Sequence, residues 1–158
     1  MAIYMKWDGI DGAVTTQGFE KWIELSSFQW GVGRAIGTAA RGAATREASE
    51  PNISEIVISK RLDKASTKLM MDAVAGDLSA TVKFKFTTTT KDKVDTYLAY
   101  ELTNCGLSGY SKSSSGDAPT ESMTLNFTKI MCTYTERDPK IGGSPDTVGY
   151  DLLTMGKV

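Results

Sequence analysis

Short segments in which apolar and polar residues alternate recur along this chain, and they are its strongest structural constraint. Residues 79–88 show the pattern best, with Val82, Phe84 and Phe86 in one phase and lysines between them. A period of two places successive side chains on opposite faces of a β-strand, so this segment predicts a strand with one buried face. Strand character is also present in residues 3–7, 21–32, 53–60, 97–104, 107–112, 121–134 and 148–153.

Two of these segments change phase in the middle. In residues 21–32 the change lies at Ser26 and Ser27, and in residues 121–134 it lies near Thr128. A change of phase moves the apolar side chains to the opposite face, which predicts a bend or a β-bulge at each position. Many strands joined by hairpin-length turns predict a mainly β fold, either an antiparallel β-barrel or a two-sheet sandwich.

One segment, residues 63–76, has helical spacing instead. Its apolar residues recur at intervals of four, namely Ala65, Leu69 and Ala73, and beside them Met70 and Val74. This spacing predicts an apolar stripe on one short α-helix that flanks the β-structure. Asp63 is placed to cap the start of the helix, and Gly76 is placed to end it.

Residues 31–52 have neither period and predict an extended loop. The segment is rich in glycine and alanine and carries charges of both signs, at Arg34, Arg41, Arg46, Glu47 and Glu50. Structureless loops longer than about 12–15 residues are unusual inside compact domains and are commonly functional. We therefore expect this loop to become ordered against a neighbouring molecule.

Length and charge narrow the possible functions. A chain of 158 residues predicts one domain, residues 1–158. Its 18 basic and 19 acidic residues provide no basic field for nucleic acid. No apolar run is long enough to insert into a membrane, and the first residues lack the apolar core of a signal peptide. We expect synthesis in the cytoplasm and, for any export, a route that reads no such signal.

The residue types needed for common catalytic and metal sites are scarce. Histidine is absent, which excludes Ser-His-Asp and Cys-His nucleophiles and any zinc site that uses histidine. Cys105 and Cys132 are too few to close a four-ligand metal site, and they are interpreted as buried apolar residues, with one disulfide as the alternative. The glycines of residues 31–37 lack the spacing of a dinucleotide loop. We predict no catalytic residue, no metal and no cofactor.

Four sequence signatures together resemble a known family. They are Trp22-Ile23-Glu24-Leu25 through Gln29-Trp30-Gly31; residues 53–69 with Leu62-Asp63-Lys64-Ala65-Ser66; Pro119-Thr120-Glu121-Ser122 followed by Leu125-Asn126-Phe127-Thr128-Lys129-Ile130; and Gly149-Tyr150-Asp151-Leu152. These segments resemble the Hcp family (hemolysin-coregulated protein), the tube subunits of bacterial type VI secretion systems.

The resemblance implies a structural role, not an enzymatic one. Family members form a barrel-like domain with one flanking helix, assemble head-to-tail into hexameric rings, and stack these rings into the inner tube of an injection machine. The implied partners are further copies of the chain, the spike and sheath proteins, and small effector proteins in the lumen. The implied fate is secretion through the type VI system. Some relatives carry C-terminal toxin extensions, for which this chain leaves no room after its last strand.

Two hypotheses about assembly follow. Arg34, Arg41, Arg46, Glu47 and Glu50 are candidates for contacts between stacked rings. An edge strand at residues 53–60 or 148–153 could contribute to the contact within a ring by strand pairing. The main alternative is a monomeric β-sandwich that binds carbohydrate, which predicts exposed aromatic residues on one strand face. An enzyme that uses carboxylates alone is a third and weaker alternative.

Overall fold

The structure is a computed structural model that describes residues 1–37, 48–136 and 145–158. Within these residues the chain is mostly β-strand and has one helix. The strands are β1 (Ala2–Trp7), β2 (Ile23–Leu25), β3 (Ser27–Gln29), β4 (Val32–Gly33), β5 (Asn52–Ile53), β6 (Ile56–Arg61), β7 (Ala80–Thr90), β8 (Lys93–Ser113), β9 (Thr120–Asn126), β10 (Lys129–Tyr134), β11 (Asp146–Asp151) and β12 (Gly156–Lys157), and the helix is α1 (Ser66–Ala75).

Two antiparallel sheets share one long strand. Sheet A has the order β12-β11-β10-β8-β7-β1-β2, and sheet B has the order β3-β6-β9-β8. The first part of β8 pairs with β7 and β10, and its last part pairs with β9. The prediction of an antiparallel barrel or two-sheet sandwich with one flanking helix is therefore confirmed.

The two predicted bends are places where the chain changes sheets. Before Ser26 the chain pairs with β1 in sheet A, and after it with β6 in sheet B. Between β9 and β10 the chain returns from sheet B to sheet A. Residues 121–134 were predicted as one strand, which is wrong. The change of phase reflects a core that lies on opposite sides of the chain before and after the crossing.

The longest strand is β8, with 21 residues. The sequence predicts two separate strands here, at residues 97–104 and 107–112, because the alternation stops between them. The structure joins them through Cys105 and Gly106, where β8 passes from sheet A to sheet B. A strand shared between two sheets changes the face that it buries, so its apolar pattern breaks although its backbone stays extended.

The core lies between the two sheets and contains the apolar phases that the sequence predicts. Val82 and Phe84 of β7 face Ile56 and Ile58 of β6 across this core, and all four side chains are fully buried. Phe28 packs its ring against Phe84, with 4.9 Å between the ring centroids. Burial of such side chains is worth about 1.5–3 kcal/mol each and provides the main stabilisation of the fold.

The predicted helix is present, and it differs from the prediction in where it begins and in how much of its apolar stripe is buried. It begins at Ser66, with Ala65 as the N-cap residue. Asp63 lies just before it and, as predicted, holds its start, since Asp63 Oδ1 accepts a hydrogen bond from the Ala65 amide at 2.9 Å. Gly76 ends the helix with a φ of −69°, so no left-handed glycine is needed. Of the predicted apolar stripe, Ala65 and Leu69 are buried, whereas Met70 and Val74 are exposed.

The geometry of the contact explains the exposed part of the stripe. Residues 69 and 70 are separated by about 100° around a helix. Since α1 rests mainly on β8, only a stripe one residue wide reaches the core.

The two cysteines do not form the disulfide that was the alternative interpretation. Cys105, under the helix, is fully buried, and Cys132 is half-buried. Both are free thiols, and burial raises the pKa of Cys105.

Candidate assembly surfaces

A buried ion pair joins the two central strands of sheet B. Lys60 of β6 and Glu121 of β9 are directly opposite each other, and both side chains are 0% exposed. Lys60 Nζ lies 2.8 Å from Glu121 Oε2. Charged side chains are rarely buried to this degree without a partner, and here each provides the opposite charge that the other needs.

The same ion pair fixes the start of the helix. Lys60 Nζ also donates hydrogen bonds to Asp63 Oδ1 at 2.9 Å and to Ser66 Oγ at 3.1 Å. Ser66 Oγ in turn donates to Glu121 Oε2, and Tyr110 OH donates to Glu121 Oε1 at 2.6 Å. Within the described residues, every buried side-chain polar atom has a hydrogen-bond partner. We call these five residues the polar network.

The polar network keeps Glu121 ionised. Burial by itself would raise the pKa of Glu121, but hydrogen bonds from Lys60, Tyr110 and Ser66 outweigh it and hold the pKa below its ordinary value of 4.5. Burial, followed by the hydrogen bond to Glu121, raises the pKa of Tyr110. Glu121 therefore stays charged at neutral pH, and the network joins the start of the helix to sheet B. The partly exposed Lys112 also reaches this carboxylate, with 3.4 Å between its Nζ and Glu121 Oε1.

Residues 31–37 and 48–53 pair as a two-stranded ribbon that is separate from sheets A and B. We call the sequence from residue 31 to residue 53 the arm. Strands β4 and β5 pair through Val32 and Ile53, and a further bridge joins Ile36 and Ala48. At the base, Ser54 Oγ accepts a hydrogen bond from the Gly31 amide at 2.8 Å. The prediction of a loop without strand structure is wrong for this part. A ribbon exposed on both faces needs no apolar alternation, so the sequence pattern does not reveal it.

The structure describes two of the five residues predicted to contact a stacked ring. Arg34 follows β4 and Glu50 precedes β5; both are exposed and line the same shallow hollow. Arg41, Arg46 and Glu47 lie outside the described residues. Val32 and Ile36 of the arm are also exposed, which leaves apolar side chains open to contact.

One of the two predicted edge strands is wrong. Strand β6 pairs with β3 on one side and β9 on the other, so residues 56–61 lie inside sheet B. Strand β11 pairs with β10 along its full length and with β12 only at Tyr150 and Asp151. The Gly149 carbonyl also accepts a hydrogen bond from the Val158 amide at 3.0 Å, so in the described part of the chain residues 146–148 form an open edge of sheet A.

Two further surfaces were not found from the sequence. The outward side of α1 carries Met70, Met71 and Val74, all exposed. Tyr134 and Val148 are exposed at the β11 end of sheet A. The signal for the polar network was present, because Lys60 shares the phase of the buried Ile56 and Ile58. A charge in an apolar phase indicates a buried partner.

The described residues contain no group of three or more His, Cys, Asp or Glu side chains that could hold a metal ion. They also contain no helix with the length and apolar character needed to span a membrane. Apolar side chains are exposed on three surfaces of the described residues, namely the arm, the outward side of α1 and the open edge of sheet A.

Comparison with known proteins places this architecture in a family. Residues 4–134 match the family described as type VI secretion system effector, Hcp. A solved structure described as a type six secretion system protein is 27% identical, covers 99% of both chains and has a TM-score of 0.88. Curated protein sequences give no significant match.

Two other solved structures share the fold at lower identity. Hcp1 from Salmonella typhimurium is 23% identical, with a TM-score of 0.78, 99% of this chain covered and 98% of that chain. A type VI secretion system effector from Yersinia pestis is 20% identical, with a TM-score of 0.74 and coverage of 94% and 98%. On the match over residues 4–134, this chain belongs to the Hcp family of type VI secretion system proteins.

Proposed function

We propose that this chain is the subunit of the inner tube of a type VI secretion system. Six copies form a ring by head-to-tail contacts, and rings stack to form the tube. The observation that carries this proposal is the arm, a ribbon that is separate from sheets A and B and exposes Val32 and Ile36. Exposed apolar side chains on such a ribbon are expected where a neighbouring molecule covers them.

The role is mechanical. A heterologous contact between two different surfaces of one chain closes into a ring when the rotation between copies fits. Contacts within a ring must persist while the tube is expelled, so they should be larger and more apolar than contacts between rings. The polar network supports a subunit that must withstand the mechanical load of expulsion, because it joins the helix and sheet B by several hydrogen bonds at once.

The arm is proposed to contact the next ring. Arg34, Arg41, Arg46, Glu47 and Glu50 give it charges of both signs, which fits a contact that must be specific but weaker than the contact within the ring. The tube then works with spike and sheath proteins, leaves the cell through the type VI system, and holds small effector proteins in its lumen.

The carbohydrate-binding alternative is not favoured by the distribution of aromatic residues. Such a module needs several aromatic side chains exposed on one strand face. Among the described residues, Tyr134 is the one aromatic residue that is exposed. Phe28, Phe86 and Tyr100 instead pack against one another inside the fold.

Electron microscopy of the purified protein at high concentration tests the tube directly. Six-membered rings with a central hole are expected, and subunits that remain single at high concentration would refute the proposal. Deletion of residues 34–46 should leave rings intact and abolish their stacking. A matched deletion of residues 114–117, between β8 and β9, should leave both unchanged. Stacked tubes that survive the first deletion would refute the role of the arm.

A further inference from the structure

The outward side of α1 is an apolar surface that nothing in the described part of the chain covers. Met70, Met71 and Val74 point away from β8, and Val74 is 73% exposed. Unbranched methionine side chains adapt their shape to a partner, so they are common on contact surfaces. We call these three residues the helix patch.

A second apolar surface lies at the far end of sheet A. Phe84, Tyr100, Cys132 and Val148 are aligned across the four neighbouring strands β7, β8, β10 and β11. Along this row the exposed fraction rises from 0% at Phe84 to 61% at Val148. Sheet B covers the row near Phe28 and leaves its far end open.

The neighbouring row ends in the same way. Phe86, Leu98 and Tyr134 are aligned across β7, β8 and β10, and Tyr134 is 52% exposed. Tyr134 and Val148, with the half-buried Cys132 between them, form what we call the strand patch. It lies on the face of sheet A that is core elsewhere, which explains its apolar character.

One side of the helix patch carries charges opposite to those beside the strand patch. Lys64 and Lys68, both exposed, precede the helix patch in the chain, and the exposed Asp77 follows it. In the described residues, Glu136 and Asp146, both exposed, flank the strand patch along the chain, and Asp146 is the strand neighbour of Tyr134. An apolar centre with a charged rim that complements the rim of its partner is the usual composition of a specific protein interface.

We propose that the helix patch of one copy packs against the strand patch of the next copy in the ring. The two patches are on different elements, α1 on one hand and β10 with β11 on the other, so each copy offers one of each. A contact of this kind is heterologous and continues from copy to copy until the ring closes. The inference rests on the proposed ring and identifies the surfaces that build it.

Two single variants and their mixture test this contact. Val74→Asp places a charge in the helix patch, and Val148→Asp places one in the strand patch. Each is expected to raise the concentration for half-maximal ring assembly at least tenfold in analytical ultracentrifugation. Circular dichroism should be unchanged, since both side chains are exposed. Leu153→Asp is the control, because Leu153 is 73% exposed, as Val74 is, and lies in neither patch.

The mixture gives the sharper result. A copy with Val74→Asp keeps its strand patch, and a copy with Val148→Asp keeps its helix patch. Together they retain one intact contact, so an equimolar mixture should form dimers and nothing larger. Variant rings as stable as wild-type rings, a mixture without dimers, or equal disruption by Leu153→Asp would each overturn the inference while wild-type rings stand. If the wild-type chain itself forms no ring, the proposed function fails, and this contact with it.

Discussion

The polar network and the arm are built on opposite principles. In the network, Lys60 and Glu121 are fully buried, and each has several partners within the chain. In the arm, a two-stranded ribbon carries exposed apolar and charged side chains and is attached through a few backbone hydrogen bonds. The difference separates a part whose polar groups are paired within one chain from a part whose apolar side chains stay exposed.

The largest expected effect comes from removing one partner of the buried ion pair. Glu121→Ala leaves the ammonium group of Lys60 buried beside one remaining carboxylate, that of Asp63. Loss of one member of a buried pair costs about 3–5 kcal/mol in the free energy of unfolding. Urea unfolding at one fixed protein concentration measures this change, because assembly would otherwise shift the midpoint.

Two comparisons make that experiment specific. Lys93→Ala breaks the exposed ion pair with Asp95 and should cost less than about 1 kcal/mol. The double variant Lys60→Met with Glu121→Leu removes both charges and should be more stable than Glu121→Ala alone. If the double variant is the least stable of the set, the cost of Glu121→Ala does not come from the unpaired charge of Lys60, and our explanation of that cost is wrong.

A second prediction compares the two sides of the helix. Leu69 is fully buried against the core, so Leu69→Ala should lower the free energy of unfolding by about 2–5 kcal/mol. Val74→Ala, on the exposed side, should change it by less than about 0.5 kcal/mol when assembly is prevented by dilution. Equal losses would show that α1 packs differently from the orientation described.

The third prediction concerns acid. The pKa of Glu121 in the folded protein lies below its ordinary value of 4.5, which is close to the value in an unfolded chain. The group therefore contributes stability at pH values above 4.5, and this contribution is lost as the pH decreases toward the folded-state pKa. The stability difference between wild type and Glu121→Gln should be constant near pH 7 and shrink below about 4.5. A difference that grows in acid would contradict this sign.

The sequence predicts the body much better than the surfaces. Val82, Phe84 and Phe86 alternate because one sheet face is buried, and the structure confirms that face. Residues 31–52 were singled out by the sequence, but their strand pairing was not predicted, since a ribbon without a buried face leaves no apolar alternation. The exposed side of α1 was missed for a different reason, because Met70 and Val74 have the spacing of core residues but lie beyond the contact with β8. An exposed apolar stripe resembles a core stripe in its sequence, and only the fold tells the two apart.

The smallest expected effect is at the base of the arm. Ser54→Ala removes the hydroxyl that accepts a hydrogen bond from the Gly31 amide. The hydrogen bond that the Ser54 amide donates to the Gly31 carbonyl, at 2.9 Å, remains. The free energy of unfolding should change by no more than about 0.5–1 kcal/mol, because the bond is exposed to water. Amide hydrogen exchange at Ser49 and Ser54 should nevertheless accelerate several-fold, since local opening of the ribbon needs no unfolding of the core. Ser114→Ala, which removes an exposed hydrogen bond to the Asp117 carbonyl, is the matched control and should leave exchange in the arm unchanged. Equal exchange in Ser54→Ala and wild type would show that the strand pairing of β4 and β5 holds the arm without this hydroxyl.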